Sequence, residues 1–282
     1  METNTEKKFI DVDEVLESKS PTLHKYMPGF VLSYLKKIVH QDQINDFIKR
    51  NGHRYEFDFV NAIVEEFGAV IDVAGTENIR TTGGVIFASN HPLGALDAIS
   101  LLQVLGRCRK DVTFIVNDIL LSLKNLQGIF IGVNKHGKNS KESMDAIDKL
   151  YASETSVLIF PAGLVSRKQN SIIRDLLWRK SFIAKAKQYK RDIIPIHIEA
   201  QNSPFFYRLA WLRKTLGIKA NIEMLYLVDE MYKQNTKHIS ITIGKALSYQ
   251  LFDDTHTDAE WSEKVKEHVY ALVTKDKSKL LN

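Results

Sequence analysis

The residues best equipped for chemistry in this chain lie in Ser89-Asn90-His91-Pro92-Leu93-Gly94-Ala95-Leu96-Asp97, where a histidine ends one apolar run and a carboxylate opens the next. A neutral imidazole, with a reference pKa of about 6.5, can take a proton from a hydroxyl near neutral pH. A carboxylate within hydrogen-bond reach can orient the ring and stabilise the imidazolium that forms. The spacing therefore describes a base and its orienter without a protein nucleophile. A second reading of the same residues makes His91 a polar turn residue and Asp97 a first-turn helix acid or cap. Backbone amides of the Gly94/Ala95 turn, at a helix N-terminus, are candidates for holding a developing oxyanion.

A second apolar run, Ser156-Val157-Leu158-Ile159-Phe160, breaks at Pro161-Ala162-Gly163 and leads into Ser166, Arg167 and Lys168. Cations here, and Lys135, His136 and Lys138 after Gly128-Ile129-Phe130-Ile131-Gly132, suit the rim of a site for phosphate or carboxylate if their loops converge. The alternative for the second group is a solvated basic loop. His197 stands inside an apolar strand pattern and is expected to be a core or supporting histidine. Cys108, the only cysteine, excludes an internal disulfide framework and reads as inert. Trp178 and Phe182, four apart, read as core packing or as an apolar wall.

The elements that must position these residues alternate. Short apolar strands are expected at 70–73, 84–89, 112–116, 129–131, 157–160, 193–198 and 239–243. Helices are expected at 97–107, 140–151, 172–190 and about 258–274, the last capped by Asp258. This alternation predicts an α/β fold with a mainly parallel sheet flanked by helices, which places His91 at the C-terminal edge of a strand. Residues 11–67 carry three-and-four apolar spacing and are expected to form an N-terminal helical cap. Residues 1–68 are thus assigned to the cap and 69–282 to one continuous α/β core, and 282 residues at 44% hydrophobic content suffice for such a core.

The net charge of +5 suits an anionic partner. No nucleic-acid recognition pattern accompanies it, so nucleic acid is not expected. No Cys/His cluster has zinc-like spacing, and no metal is expected. Met1-Glu2-Thr3-Asn4-Thr5-Glu6-Lys7-Lys8 lacks the apolar region of a secretory signal, and no uncharged apolar run approaches the roughly 20 residues that span a bilayer. Residues 203–219, which interleave Phe205, Phe206, Tyr207 and Trp211 with Arg208, Arg213, Lys214 and Lys219, have the composition of an interfacial segment or of a helix packing aromatics inward.

Four blocks in this order, His91 to Asp97, Gly128 to Lys135, Phe160-Pro161-Ala162-Gly163 with Ser166 and Arg167, and Ile193-Ile194-Pro195-Ile196-His197-Ile198, resemble the glycerolipid acyltransferase superfamily over about residues 70–250. That superfamily includes the 1-acylglycerol-3-phosphate acyltransferases. Two features differ from its commonest pattern: five residues, Pro92 to Leu96, separate His from Asp, and Ala162 stands where an acid is usual. The wording is similar to a hemolysin-like branch with ornithine- or glycine-lipid O-acyltransferases. The resemblance implies direct transfer of a fatty acyl group from acyl-ACP or acyl-CoA to the hydroxyl of a lysolipid, an N-acyl amino-acid type in this branch. It makes His91 the base and Asp97 its orienter. Gly94, Lys135, Phe160, Pro161, Ala162, Gly163, Ser166 and Arg167 become substrate-binding positions, with Arg167 on the anionic group. No cofactor beyond the thioester co-substrate is implied. The partners would be acyl carrier protein or a coenzyme A thioester, a lysolipid, and the cytoplasmic face of the inner membrane, met peripherally. A glycerol-phosphate acceptor, or a lipid-binding protein of the same fold without catalysis, are the alternatives.

Overall fold

A computed structural model describes residues 8–117, 121, 123–133, 141–274 and 278–281. Contacts divide the chain into two compact units, Met1–Arg54 with Ser203–Lys233, and Tyr55–Asn202 with Gln234–Asn282. Both units are made from two separate stretches of chain.

The smaller unit holds α1 (Val12–Lys19), α2 (Pro21–Tyr26), α3 (Gly29–Ile38) and α4 (Gln41–Asn51). The larger unit begins with α5 (Glu56–Phe67) and runs through β1 (Val70–Ala74), β2 (Ile86–Ser89), α6 (Ala95–Cys108), β3 (Val112–Asn117), β4 (Phe130–Val133), α7 (Lys141–Ala152) and β5 (Ser156–Ile159). It continues with β6 (Arg167–Gln169), β7 (Ile172–Arg174), α8 (Ser181–Tyr189) and β8 (Ile193–Glu199). The chain then re-enters the smaller unit for α9 (Pro204–Thr215) and α10 (Leu227–Tyr232), and returns for β9 (His238–Ile243) and α11 (Asp258–Ala271).

The boundary expected at residue 68 is therefore moved in two places. Helix α5 belongs with the sheet, because Phe57, Phe59, Val60, Ile63, Val64 and Phe67 are all buried and the helix packs on α6. Residues 203–233, expected inside the core domain, belong with the N-terminal helices. Their own tie is the buried Glu230, whose carboxylate accepts from the Ser203 amide at 2.5 Å, the Ser203 hydroxyl at 2.7 Å and Lys233 Nζ at 2.8 Å. This pins the start of α9 to α10.

The seven strands expected from sequence form one sheet in the order β1-β9-β8-β2-β5-β3-β4, parallel except for the β8–β9 pair. Strands β2 and β5 are buried at every residue, as the continuous apolar runs require of central strands covered on both faces. Against them Phe182, Ile183 and Ala186 of α8 and Trp261, Val265 and Val269 of α11 complete one hydrophobic cluster. Each of the larger apolar side chains among them contributes about 1.5–3 kcal/mol relative to exposure.

The helix expected over 172–190 starts only at Ser181. Before it lies an antiparallel hairpin, β6–β7, turned by Asn170 and Ser171 with φ of 47° and 69°. Two consecutive left-handed residues make the two-residue turn that matches strand twist. At α11 the cap is Thr257 rather than Asp258: Glu260 N–H donates to the Thr257 hydroxyl at 3.3 Å, while Thr257 N–H donates back to Glu260 at 2.7 Å.

Candidate active site

Strand β2 delivers Asn90 and His91 to the C-terminal edge of the sheet. Its parallel neighbours, β5 and β8, bring their following residues to the same edge. Asn90 extends the pairing with its side chain, since its Nδ2 donates to Ile198 O at 2.9 Å and its Oδ1 accepts from Ile198 N at 2.7 Å. The register Ala88↔Ile159 ends β2 and β5 at the same level, and just beyond it the His91 and Phe160 rings stack with centroids 4.2 Å apart and planes 18° from parallel.

The chain then turns through Gly94, whose φ of 100° and ψ of −134° are glycine-only values, into α6. This turn brings Asp97, in the first turn of α6, back onto the histidine: His91 Nδ1 and Asp97 Oδ2 are 3.0 Å apart. The same Oδ2 accepts the amides of Leu93 at 2.8 Å and Gly94 at 3.1 Å. Cap and orienter, alternatives in the sequence, are thus one oxygen atom. The acceptor-only carboxylate fixes the proton on Nδ1 and leaves the Nε2 lone pair as the basic site. Asp97 is fully buried, and burial raises its pKa above the usual carboxylate value, opposed by the bonds from His91, Leu93 and Gly94. An unscreened charge of this kind stabilises an adjacent imidazolium far more than a solvated one does.

The remaining expected site residues divide. Phe160 stacks on His91, Pro161 O accepts from the Arg179 amide at 3.0 Å, and Gly163 closes the turn at φ 62°. Ala162 does not face an open site: its methyl belongs to the hydrophobic cluster with Trp178 and Phe182, where an acid would meet a strong desolvation cost. Trp178 and Phe182 are core, as the first of their two readings has it. The Gly94 amide is directed at Asp97 and not at an oxyanion, so that glycine serves the turn's shape. Ser166 is 1% exposed; its amide donates to His91 O at 2.7 Å and its hydroxyl to Asp175 Oδ1 at 2.5 Å. Buried Arg167 donates from Nη1 to the carbonyls of Val165 at 2.5 Å and Ser166 at 3.3 Å. Lys135, with His136 and Lys138, lies outside the described residues.

A cavity of about 580 Å³ adjoins this edge, lined by Asn90, Pro92, Ser166 and His197 and by apolar side chains such as Ile173 and Val273. Burial, with a smaller contribution from Arg174, pushes His197 down to about 4, so it is a neutral supporting residue. Sequence reasoning missed Asp175, which accepts from the His91 amide at 3.1 Å, and Tyr270, whose hydroxyl accepts from the Asp175 amide at 2.8 Å. The one local signal was an acid set between Ile172-Ile173 and Leu176-Leu177-Trp178.

The sequence is similar to those of known proteins. Residues 14–278 match the acyltransferase family. The lyso-glycine lipid O-acyltransferase of Bacteroides thetaiotaomicron is 47% identical over 265 residues, covering 94% of this chain and 97% of that protein. The lyso-glycine lipid O-acyltransferase of Phocaeicola vulgatus is 43% identical, covering 94% of this chain and 95% of its own. A crystal structure of the 1-acyl-sn-glycerophosphate acyltransferase of Thermotoga maritima aligns over 94% of this chain and 95% of that one, at 16% identity and a TM-score of 0.47. With a family match over nearly its whole length and relatives of this similarity, the chain belongs to the acyltransferase family.

Proposed function

We propose that this acyltransferase moves a fatty acyl group from an acyl-ACP or acyl-CoA thioester to the hydroxyl of a lyso-glycine lipid. The observation that carries the reading is the pair of relatives of that name, 47% and 43% identical over nearly the full length of each chain. The His91–Asp97 geometry supports it with suitable chemistry. The acceptor hydroxyl gives its proton to His91 Nε2 as its oxygen bonds to the thioester carbonyl carbon. The tetrahedral centre collapses, the C–S bond breaks, and the imidazolium returns the proton to the leaving thiolate. Asp97 holds the ring and stabilises the transient cation. The cavity beside Asn90 and Ser166 lies in the size range of ligand sites, and its walls set Ile173, Ile198 and Val273 beside Arg174 and Lys279, a mixture suited to an apolar chain with an anionic group.

Competition between an N-acyl glycine lysolipid and lyso-phosphatidic acid tests the acceptor. The purified enzyme is expected to prefer the glycine lysolipid by at least about tenfold in kcat/KM, since a site built for one headgroup leaves polar groups unpaired with the other. Exclusive use of lyso-phosphatidic acid overturns the acceptor and keeps the acyltransferase. Folded protein that transfers nothing from any thioester favours the lipid-binding alternative.

We also propose peripheral docking on the cytoplasmic face of the inner membrane through the smaller unit. Helix α9 buries Phe206, Tyr207 and Ala210 but leaves Trp211 67% exposed, and Phe30 of α3 is 77% exposed. Among the described residues no helix is long and apolar enough to cross a membrane. Exposed Arg208, Lys214 and Lys219 accompany the exposed aromatics, a pairing suited to an anionic headgroup layer. Arg213 is excluded from the test, because it pairs with buried Glu223 at 2.9 Å. The triple variant Arg208→Glu, Lys214→Glu, Lys219→Glu should lose sedimentation with phosphatidylglycerol vesicles yet act on detergent-dispersed substrate, and wild-type binding should weaken with salt. Binding that ignores both charge reversal and salt rejects this docking.

A further inference from the structure

We propose that Asp175 is a positioning residue that holds His91 in register for proton transfer, acting on the His91 peptide directly and through Ser166. This rests on the reading of His91 as the base. The imidazole is fixed at Nδ1 by Asp97 and on its face by Phe160. Those contacts orient the ring only if the backbone beneath it stays still.

Both backbone polar groups of His91 are held from the same source. Its amide donates to Asp175 Oδ1 at 3.1 Å, and its carbonyl accepts from the Ser166 amide at 2.7 Å. Ser166 is in turn bonded to Asp175, through its hydroxyl and that same Oδ1 at 2.5 Å. The second oxygen, Oδ2, accepts from Trp178 Nε1 at 2.8 Å, and the Asp175 amide donates to the Tyr270 hydroxyl at 2.8 Å. Asp175 and Ser166 are each 1% exposed and Trp178 2%. Three donors converge on one buried carboxyl group, which is the pattern of an ionised acceptor with no proton of its own. A shift of about 1 Å in a reacting group can cost on the order of 100-fold in rate, so a rigid anchor of this kind has catalytic consequences without contact with substrate.

Asp175→Asn is the direct test. The amide keeps one acceptor oxygen, and a neutral amide oxygen accepts more weakly than a carboxylate, so the His91 N–H bond weakens whichever way the side chain turns. The expected result is a fall in kcat of about 10- to 100-fold with both KM values within about threefold of wild type. A substrate-free readout uses protein labelled with ¹⁵N-histidine, which has nine histidines and one assignable by its loss in His91→Ala. The His91 amide proton should move upfield and exchange faster in Asp175→Asn, while the other histidine amides stay in place. A residue that merely supports the fold would lower Tm and disturb many of these signals together. Ser166→Ala removes the other donor on Oδ1 and leaves that oxygen to the His91 amide, so the His91 amide proton should move downfield, the opposite of its shift in Asp175→Asn, with a kcat loss of about threefold or more. It decides the matter if Asp175→Asn does not fold. Wild-type kcat within twofold, or an unmoved His91 amide, overturns the proposal. If the wild-type enzyme acylates no lysolipid, the functional reading fails, and the amide signal still decides whether Asp175 anchors His91.

Discussion

His91→Ala is expected to lower acyl transfer at least about 100-fold, the lower range for removal of a general base. The fold should survive. His91 lies on a turn at the sheet edge, its side chain is partly exposed, and alanine retains the amide and carbonyl that Asp175 and Ser166 hold. Loss of the stacked contact with Phe160 leaves a modest defect, of about 1 kcal/mol. The measurement is initial rate with thioester and lysolipid against circular dichroism and Tm on the same preparation. Near-normal turnover in the purified variant would remove His91 from the mechanism altogether.

Asp97→Asn should produce a loss of the same order, about 100-fold or more, by a different route. The asparagine oxygen can still accept the Leu93 and Gly94 amides, so the turn into α6 stays capped. What disappears is the buried negative charge beside Nδ1. Tm should therefore change little, within about 1 kcal/mol of stability, whereas Asp97→Ala loses the cap as well and should fall by a further 0.5–2 kcal/mol or so. Comparing the two variants separates the roles that share one oxygen. If Asn and Ala were equally active and differed only in Tm, Asp97 would be a cap and nothing more.

Much of this arrangement is legible in the sequence, for a specific reason. Strands buried on both faces must be continuous apolar runs, and Val85-Ile86-Phe87-Ala88 and Val157-Leu158-Ile159-Phe160 end at Pro/Gly turns that mark where the sheet edge lies. His91 and Asp97 are close along the chain, so their pairing follows from one turn. Ile172, Ile173, Leu176 and Leu177 imitate helical spacing, however, and the left-handed pair Asn170-Ser171 that makes them part of a hairpin carries no strong local mark. Asp175 is hidden for the same reason, since its partner His91 is 84 residues away and periodicity says nothing about contacts at that separation. Ala162 shows the opposite failure: its place in a recognisable turn points to substrate, whereas its methyl is needed by the core.

The division of the smaller unit between Met1–Arg54 and Ser203–Lys233 has a consequence for biosynthesis. The first stretch leaves the ribosome while its complement is still untranslated. At about 5–20 residues per second, the roughly 150 intervening residues impose a delay on the order of ten to thirty seconds. During that interval the nascent N-terminal helices lack the contacts α9 and α10 will bring, and their apolar faces are open to whatever apolar surface the cell offers first. The α/β core faces the same delay, because β9 pairs with both β1 and β8 and is translated only after the inserted helices. The smaller unit can close only after residues 55–202 have been made, and the larger only after the whole of the smaller, so both are expected to reach their final form late in synthesis.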